Sequence, residues 1–177
     1  MTDERTIAIR PGALDDAATV LRLLDAATAW LVAQGRTGQW GTEAATTDPR
    51  RIAQAHEWAA GDGLYLAMRG DTAVGALVVG AATAYVPPAT EPELYVNLLV
   101  TDRAHAGHGI GARLLTYAAQ LARERGLGLL RVDCYGGDDR ALVRFYEGCG
   151  FTATDPFTVE RPGRAPWPGQ VLQRRLT

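Results

Sequence analysis

The sequence predicts a single mixed α+β domain, residues 1–177, and three observations carry that reading. Apolar residues recur at helical spacing in four separate segments. Around them lie seven short runs that either alternate or are almost wholly apolar, the patterns of half-buried and fully buried strands. The segments follow one another as β-α-α-β-β-β-α-β-α-β-β, with no internal repeat, low-complexity tract or splitting linker. A length of 177 residues suits one domain, and 47 % hydrophobic against 21 % charged residues provides for a core rather than disorder.

Ile7-Ala8-Ile9-Arg10 alternates as a strand, and Pro11-Gly12 stops it. Asp15 or Asp16 then offers a carboxylate to cap a helix, because orphan N–H groups at a helix start need acceptors. Val20, Leu24, Ala27 and Leu31 phase that helix to about Gly35. A glycine-bearing loop, 35–47, holds Gln39 and Trp40. Asp48-Pro49 starts the second helix, with proline at its first position, and Ile52, Ala55, His56 and Ala59 form its apolar face. Runs at 64–68 and 72–79 flank Arg69-Gly70-Asp71, a hairpin signal. A proline-rich linker, 87–92, precedes a strand over 94–100 that reads as buried on both faces. Ile110, Leu114, Ala118 and Leu121 phase the third helix. A buried strand over 127–135, a short helix over 140–148 and closing strands over 151–160 and 170–176 complete the chain.

All eighteen basic residues are Arg, scattered rather than striped, and the net charge is −2. A nucleic-acid partner normally leaves a basic stripe, so none is expected. Two cysteines, Cys134 and Cys149, far apart in sequence, make a disulfide framework or zinc site unexpected and read as small buried hydrophobes. The first five residues are polar, and no stretch reaches the ~18 apolar residues of a spanning helix. A cytoplasmic protein without a membrane partner is the expectation.

The most informative segment is Ala106-Gly107-His108-Gly109-Ile110-Gly111-Ala112, between a buried strand and an amphipathic helix. Glycines let a backbone approach a ligand, and the helix start adds a positive dipole end, so the segment suits an anion such as a pyrophosphate. A ligand-free glycine turn reads the same way. The spacing is not G-x-G-x-x-G, and without lysine no Walker-type phosphate loop exists.

Downstream, a strand ends in Asp133-Cys134-Tyr135, and a short helix ends in Tyr146-Glu147-Gly148-Cys149-Gly150-Phe151. Together the two segments resemble the GNAT (general-control-related N-acetyltransferase) superfamily, with its R/Q-x-x-G-x-G/A loop and its Tyr-x-x-x-Gly-Phe helix end. The resemblance covers essentially the whole chain. It implies a central mixed, mostly antiparallel sheet of six to seven strands flanked by about four helices. It also implies acetyl-CoA as co-substrate and transfer of acetyl to a primary amine of a small molecule.

By the same resemblance, the backbone of Gly107, His108, Gly109, Ile110, Gly111 and Ala112 binds pyrophosphate. Leu99, Val100 and Thr101 offer backbone groups to pantetheine, and Tyr146 protonates the leaving thiolate. The two N-terminal helices and their loop wall the acceptor pocket, which places Trp30, Gln39 and Trp40 there, able to hold an amine by cation–π contact. Trp30 reads equally as core, and Trp167 closes the pocket or joins a dimer contact. Many relatives are homodimers, with the C-terminal strands as the contact. Two positions depart from the family: Ala106 stands at its R/Q position, and Asp139 at the Asn that often meets the pantetheine arm.

Acyl transfer needs a neutral amine, a polarised carbonyl and a protonated leaving group. The Val100 N–H fits as oxyanion donor and Tyr146 as acid. The family's glutamate base falls on Tyr95, a poor base with its pKa of ~10. Glu93 or Asp133 acting through water, or a substrate that arrives neutral, are the other routes. Asp133 is costly to bury alone and is read as either an amine anchor or an arginine's partner. His105 contacts phosphate or covers the helix end, His108 faces solvent, and His56 is structural. A non-catalytic acyl-CoA-binding module and a different fold with a nucleotide loop are the competing readings.

Overall fold

Alternating Ile7 and Ile9 begin the sheet as predicted. In the computed structural model of the protein, which describes residues 6–177, strand β1 spans Ile7–Pro11. The polar residues 1–5 read above lie outside the described residues. There follow α1 (Ala17–Ala33), α2 (Pro49–Ala60), β2 (Leu64–Arg69), β3 (Thr72–Gly80), β4 (Leu94–Thr101) and α3 (Ile110–Glu124). The chain ends with β5 (Leu129–Tyr135), α4 (Ala141–Gly148), β6 (Thr152–Val159) and β7 (Trp167–Arg175). This is the predicted order. The seven strands are ordered β1-β2-β3-β4-β5-β7-β6. β4 and β5 run parallel, while the β1–β2, β2–β3, β5–β7 and β6–β7 pairs are antiparallel. A mixed sheet with four α-helices is the α+β architecture that the motifs implied.

Contacts group the chain into two compact units. In the first, residues up to Val79 and Leu98–Leu114, α1 buries Val20, Leu24, Ala27 and Leu31 as predicted. Val20, Leu24 and Ala27 join Ala55 and Ala59 of α2 and Leu64, Leu66, Ala76 and Val78 of the hairpin in one core. Asp48 caps α2 by accepting the Arg50 N–H at 2.9 Å, with Pro49 behind it. Gly70, at φ +59°, makes the two-residue turn between Arg69 and Thr72.

Two expectations change here. The Asp16 side chain does not cap α1; it turns back to accept from Arg10 Nη1 and Nη2 at 2.9 and 3.0 Å and from the Ala13 N–H at 2.8 Å. The Arg10 guanidinium holds its carboxyl below the usual carboxylate range. His56 is exposed, and half-buried Trp58 packs on the core instead.

In the second unit, Gly80–Asn97 and Leu115–Thr177, β5 lies between β4 and β7. The β4–β5 register pairs Leu94–Val96 with Leu130–Val132, whereas β7 follows β5 along its whole length. β7 begins three residues before the predicted Gln170, because the antiparallel pairing of Val159 with Trp167 draws Trp167-Pro168 into the sheet. Along β4, Asn97 and Leu99 are half-buried rather than fully enclosed.

Gly75 positions the glycine loop. A Cβ there would stand 2.9 Å from Ile110 Cγ2 and 3.1 Å from Leu114 Cδ1, so only glycine lets the first turn of α3 settle on β3. Gly75→Val is expected to cost about 1–3 kcal/mol through overpacking, read as a lower urea midpoint.

Candidate active site

The loop entering α3 is built by backbone. Asp102 donates its N–H to the Val74 carbonyl at 2.8 Å, and its carboxylate accepts the Ala104 N–H at 3.0 Å, closing a tight turn over Arg103–His105. Gly107 and Gly109 then take left-handed φ values of +85° and +66°. A Cβ at either glycine would meet nothing within 4 Å, so the space beside the loop there is open. Left-handed glycines directly before a helix start make the segment a candidate anion nest. The α3 N-terminus, whose first hydrogen bond joins the Arg113 N–H to the Gly109 carbonyl at 3.0 Å, strengthens it.

His108 is exposed as predicted, with Nδ1 2.9 Å from the His105 carbonyl. His105 is half-buried, and its Nδ1 lies 3.6 Å from the Asp102 carboxylate. Leu99 and Thr101 are half-buried and Val100 is buried, all beyond the residues of β4 that register with β5.

The candidate catalytic side chains gather in the second unit. Tyr95 is fully buried, and its hydroxyl donates to Asp133 Oδ1. Burial first, then the charge of Asp133, pushes the Tyr95 pKa up. Tyr95 therefore keeps its proton, and the position that the resemblance gave to the base is a donor. Burial also raises the Asp133 pKa, against the opposing Tyr95 hydrogen bond and Arg131 charge. The expected arginine partner of Asp133 is thus a tyrosine.

Glu93 is no free base either. Its carboxylate accepts from Arg131 Nε and, at 2.8 Å, from Nη2, while Nη1 donates to the Pro87 carbonyl at 2.9 Å. Arg131 also lies over the Tyr95 ring, 5.7 Å from its centroid. Sequence reasoning passed over Arg131; an arginine inside an apolar strand was the available signal.

Tyr146 is buried and packs edge-on against Phe145 and Phe151, with centroids at 5.2 and 5.7 Å. Burial raises its pKa first, and the nearby Cys134, Asp133 and Cys149 add to the rise. Tyr146 is consequently a neutral hydroxyl close enough to Asp133 to feel its charge. Cys134 is buried with its thiol pushed up to about 12, mainly by burial, so it is inert as a nucleophile. Cys149 is half-buried, and its pKa is also raised. The Asp139 side chain accepts the Ala141 N–H at 3.1 Å, at the entry to the helix that carries Tyr146.

Trp40 packs on the α1–α2 core. The Trp30 ring carries the Arg103 guanidinium 3.7 Å from its centroid, which occupies that face for cation–π contact. Gln39 is half-buried in the loop after α1.

The family model for the acetyltransferase (GNAT) family matches residues 24–151. The chain belongs to this family. It is accordingly an acetyl-CoA-dependent N-acetyltransferase. Similar folds include the Salmonella typhimurium protein YncA, solved with its cofactor acetyl-CoA, at 18 % identity and TM-score 0.65 over 97 % of this chain and 94 % of that one. A ribosomal-protein-alanine N-acetyltransferase from Brucella melitensis is 19 % identical, with TM-score 0.68 over 96 % and 99 % of the two chains. An N-acetyltransferase from Staphylococcus aureus Mu50 is 15 % identical, with TM-score 0.70 over 97 % and 99 %. Among proteins of curated function no match was found.

The raised Asp133 pKa gives this GNAT enzyme a testable pH dependence. A carboxyl whose folded pKa lies above its unfolded value of about 3.9 stabilises the fold in acid. It loses that contribution as pH rises toward the folded pKa. Asp133→Asn keeps an acceptor for Tyr95 and removes the ionisation. Its urea midpoint is expected to exceed wild type at neutral pH, with the difference vanishing in acid.

Proposed function

We propose that this enzyme transfers acetyl from acetyl-CoA directly to the primary amine of a small molecule within one catalytic domain. Asp133 acts as general base through water, and Tyr146 as acid. The grouping of Tyr95, Asp133 and Tyr146 carries the reading: one half-buried carboxylate that accepts from the Tyr95 hydroxyl, with its charge acting on Tyr146. Acetyl-CoA, when bound, supplies an activated thioester whose sulfur leaves as thiolate.

The open nest fits its pyrophosphate, which the amides of Gly107, His108, Gly109, Ile110, Gly111 and Ala112 would hold. Backbone groups of Leu99, Val100 and Thr101 would hold the pantetheine arm, with the Val100 N–H polarising the carbonyl. A raised Asp133 pKa narrows the gap to that of an ammonium, which makes the carboxylate a better proton acceptor. Tyr95 fixes the carboxylate by donating to Oδ1. As the amine nitrogen bonds to the carbonyl carbon and the C–S bond breaks, the amine proton passes by water to Asp133. The sulfur takes the Tyr146 proton.

Trp30, Gln39 and Trp40 bound the acceptor side only as part of the N-terminal scaffold. Among the described residues no helix is long and apolar enough to cross a membrane. The same reading keeps the enzyme cytoplasmic, free of nucleic-acid and membrane partners, and allows a homodimer through β6 and β7.

Isothermal titration tests the nest. Acetyl-CoA should bind wild type and lose about 100-fold or more in Gly109→Glu, which places a like charge in the nest at a left-handed position; ATP and NAD serve as controls. Absence of acetyl-CoA binding would overturn the assignment. Tyr146→Phe should lower kcat about 100-fold or more with KM for acetyl-CoA little changed; an unchanged kcat would remove Tyr146 from the mechanism.

A further inference from the structure

The sheet face that holds Tyr95 and Asp133 continues into a group of aromatic side chains that acetyl transfer does not use. Alternate residues of a strand share a face, so Arg131, Asp133 and Tyr135 point the same way from β5. Register sets Asp133 beside Val171 of β7 and Tyr135 beside Gly169. It then sets Gly169 beside Phe157 of β6. Gly169 leaves a gap in the row, and the Phe157 ring lies in it: a Cβ on Gly169 would stand 2.3 Å from that ring.

Trp167, two residues back along β7, contacts Tyr135 and Phe157 with centroids at 5.8 and 6.1 Å. Tyr85, from the segment between β3 and β4, reaches Phe157 at 5.7 Å. The rings are tilted to one another by 31° to 50°, so they form a wall rather than a stack. Tyr85 is 52 % exposed, and Tyr135, Phe157 and Trp167 are half-buried. The wall starts two strand residues, about 7 Å, from Asp133.

A half-exposed aromatic wall that begins one short tether away from a carboxylate fits a molecule with an ammonium at one end and a ring at the other. Both signs of charge reach this face: Asp138 and Arg161 act on Tyr135, and Asp155 acts on Arg131. Arg131, the arginine beside Asp133, has its guanidinium held by Glu93 and Pro87, and Arg161 donates to the Ala165 carbonyl. The Arg131 charge is answered by Glu93, which leaves the Asp133 carboxylate to meet an ammonium. An aliphatic polyamine leaves the rings without an aromatic partner.

We infer that the acceptor is an arylalkylamine, its nitrogen at Asp133 and its ring on Tyr135, Trp167 and Tyr85. The inference rests on the acetyl-transfer reading above. Two new ring contacts, beyond the area they bury, correspond to roughly tenfold in affinity.

The test compares thiol release with 2-phenylethylamine, n-butylamine, spermidine and lysine in wild type, Trp167→Leu and Tyr85→Ala. Wild type is expected to show kcat/KM for 2-phenylethylamine about tenfold or more above n-butylamine. That ratio should fall toward one in Trp167→Leu and fall in the same direction in Tyr85→Ala, at a position 52 % exposed. Quenching of protein fluorescence by 2-phenylethylamine, lost in Trp167→Leu, would report the contact without turnover. Equal or better use of the other amines, or a preference unchanged in both variants, overturns the arylalkylamine and leaves acetyl transfer standing. Failure of all four amines with an enzyme that still binds acetyl-CoA overturns the acceptor alone, and failure to bind acetyl-CoA overturns both.

Discussion

A guanidinium buried in a sheet has to have its charge and its N–H groups met, or the desolvation cost of several kcal/mol goes uncompensated. Arg131 is 4 % exposed in the middle of β5. Glu93 answers its charge with both carboxylate oxygens, and Pro87 takes a third N–H. One buried side chain thereby ties the proline-rich segment before β4 to β5. It also sits against the Tyr95 ring, whose hydroxyl then has a defined place from which to reach Asp133. The ion pair is a positioning device: it engages the carboxylate nearest the start of β4 and leaves Asp133 to accept from Tyr95.

The same low-polarity setting sorts the neighbouring hydroxyls. Tyr95 and Tyr146 are both held protonated by burial reinforced by the charge of Asp133. The Asp133 pKa is raised as well, because its charged form is the one that burial penalises. Cys134 shows the same effect on a thiol, which burial holds protonated and unreactive.

The nest before α3 depends on backbone alone. Gly107 and Gly109 adopt conformations in which a side chain would be strained, and Gly75 removes the side chain that would hold the helix off the sheet. Ala106 at the family's R/Q position therefore costs only a side-chain contact. The backbone donors that define an anion site are present without it.

Much of this was legible in the sequence, since periodicity and turn chemistry are local. Order and type of every element, the α1 face of Val20, Leu24, Ala27 and Leu31, the Asp48-Pro49 start and the Gly70 turn each follow from neighbours along the chain. So do the glycine loop and the tyrosine that ends α4. What the tertiary structure decided were pairings across strands. Residues 38 apart in sequence, Glu93 with Arg131 and Tyr95 with Asp133, meet only through the parallel β4–β5 register, and no local pattern encodes which carboxylate an arginine will claim. Asp16 turned from helix to Arg10, Trp30 came under Arg103, and Phe157 filled the space over Gly169 for the same reason. Local sequence sets which backbone forms; the identity of a side chain's partner is settled only when distant strands and loops come into register.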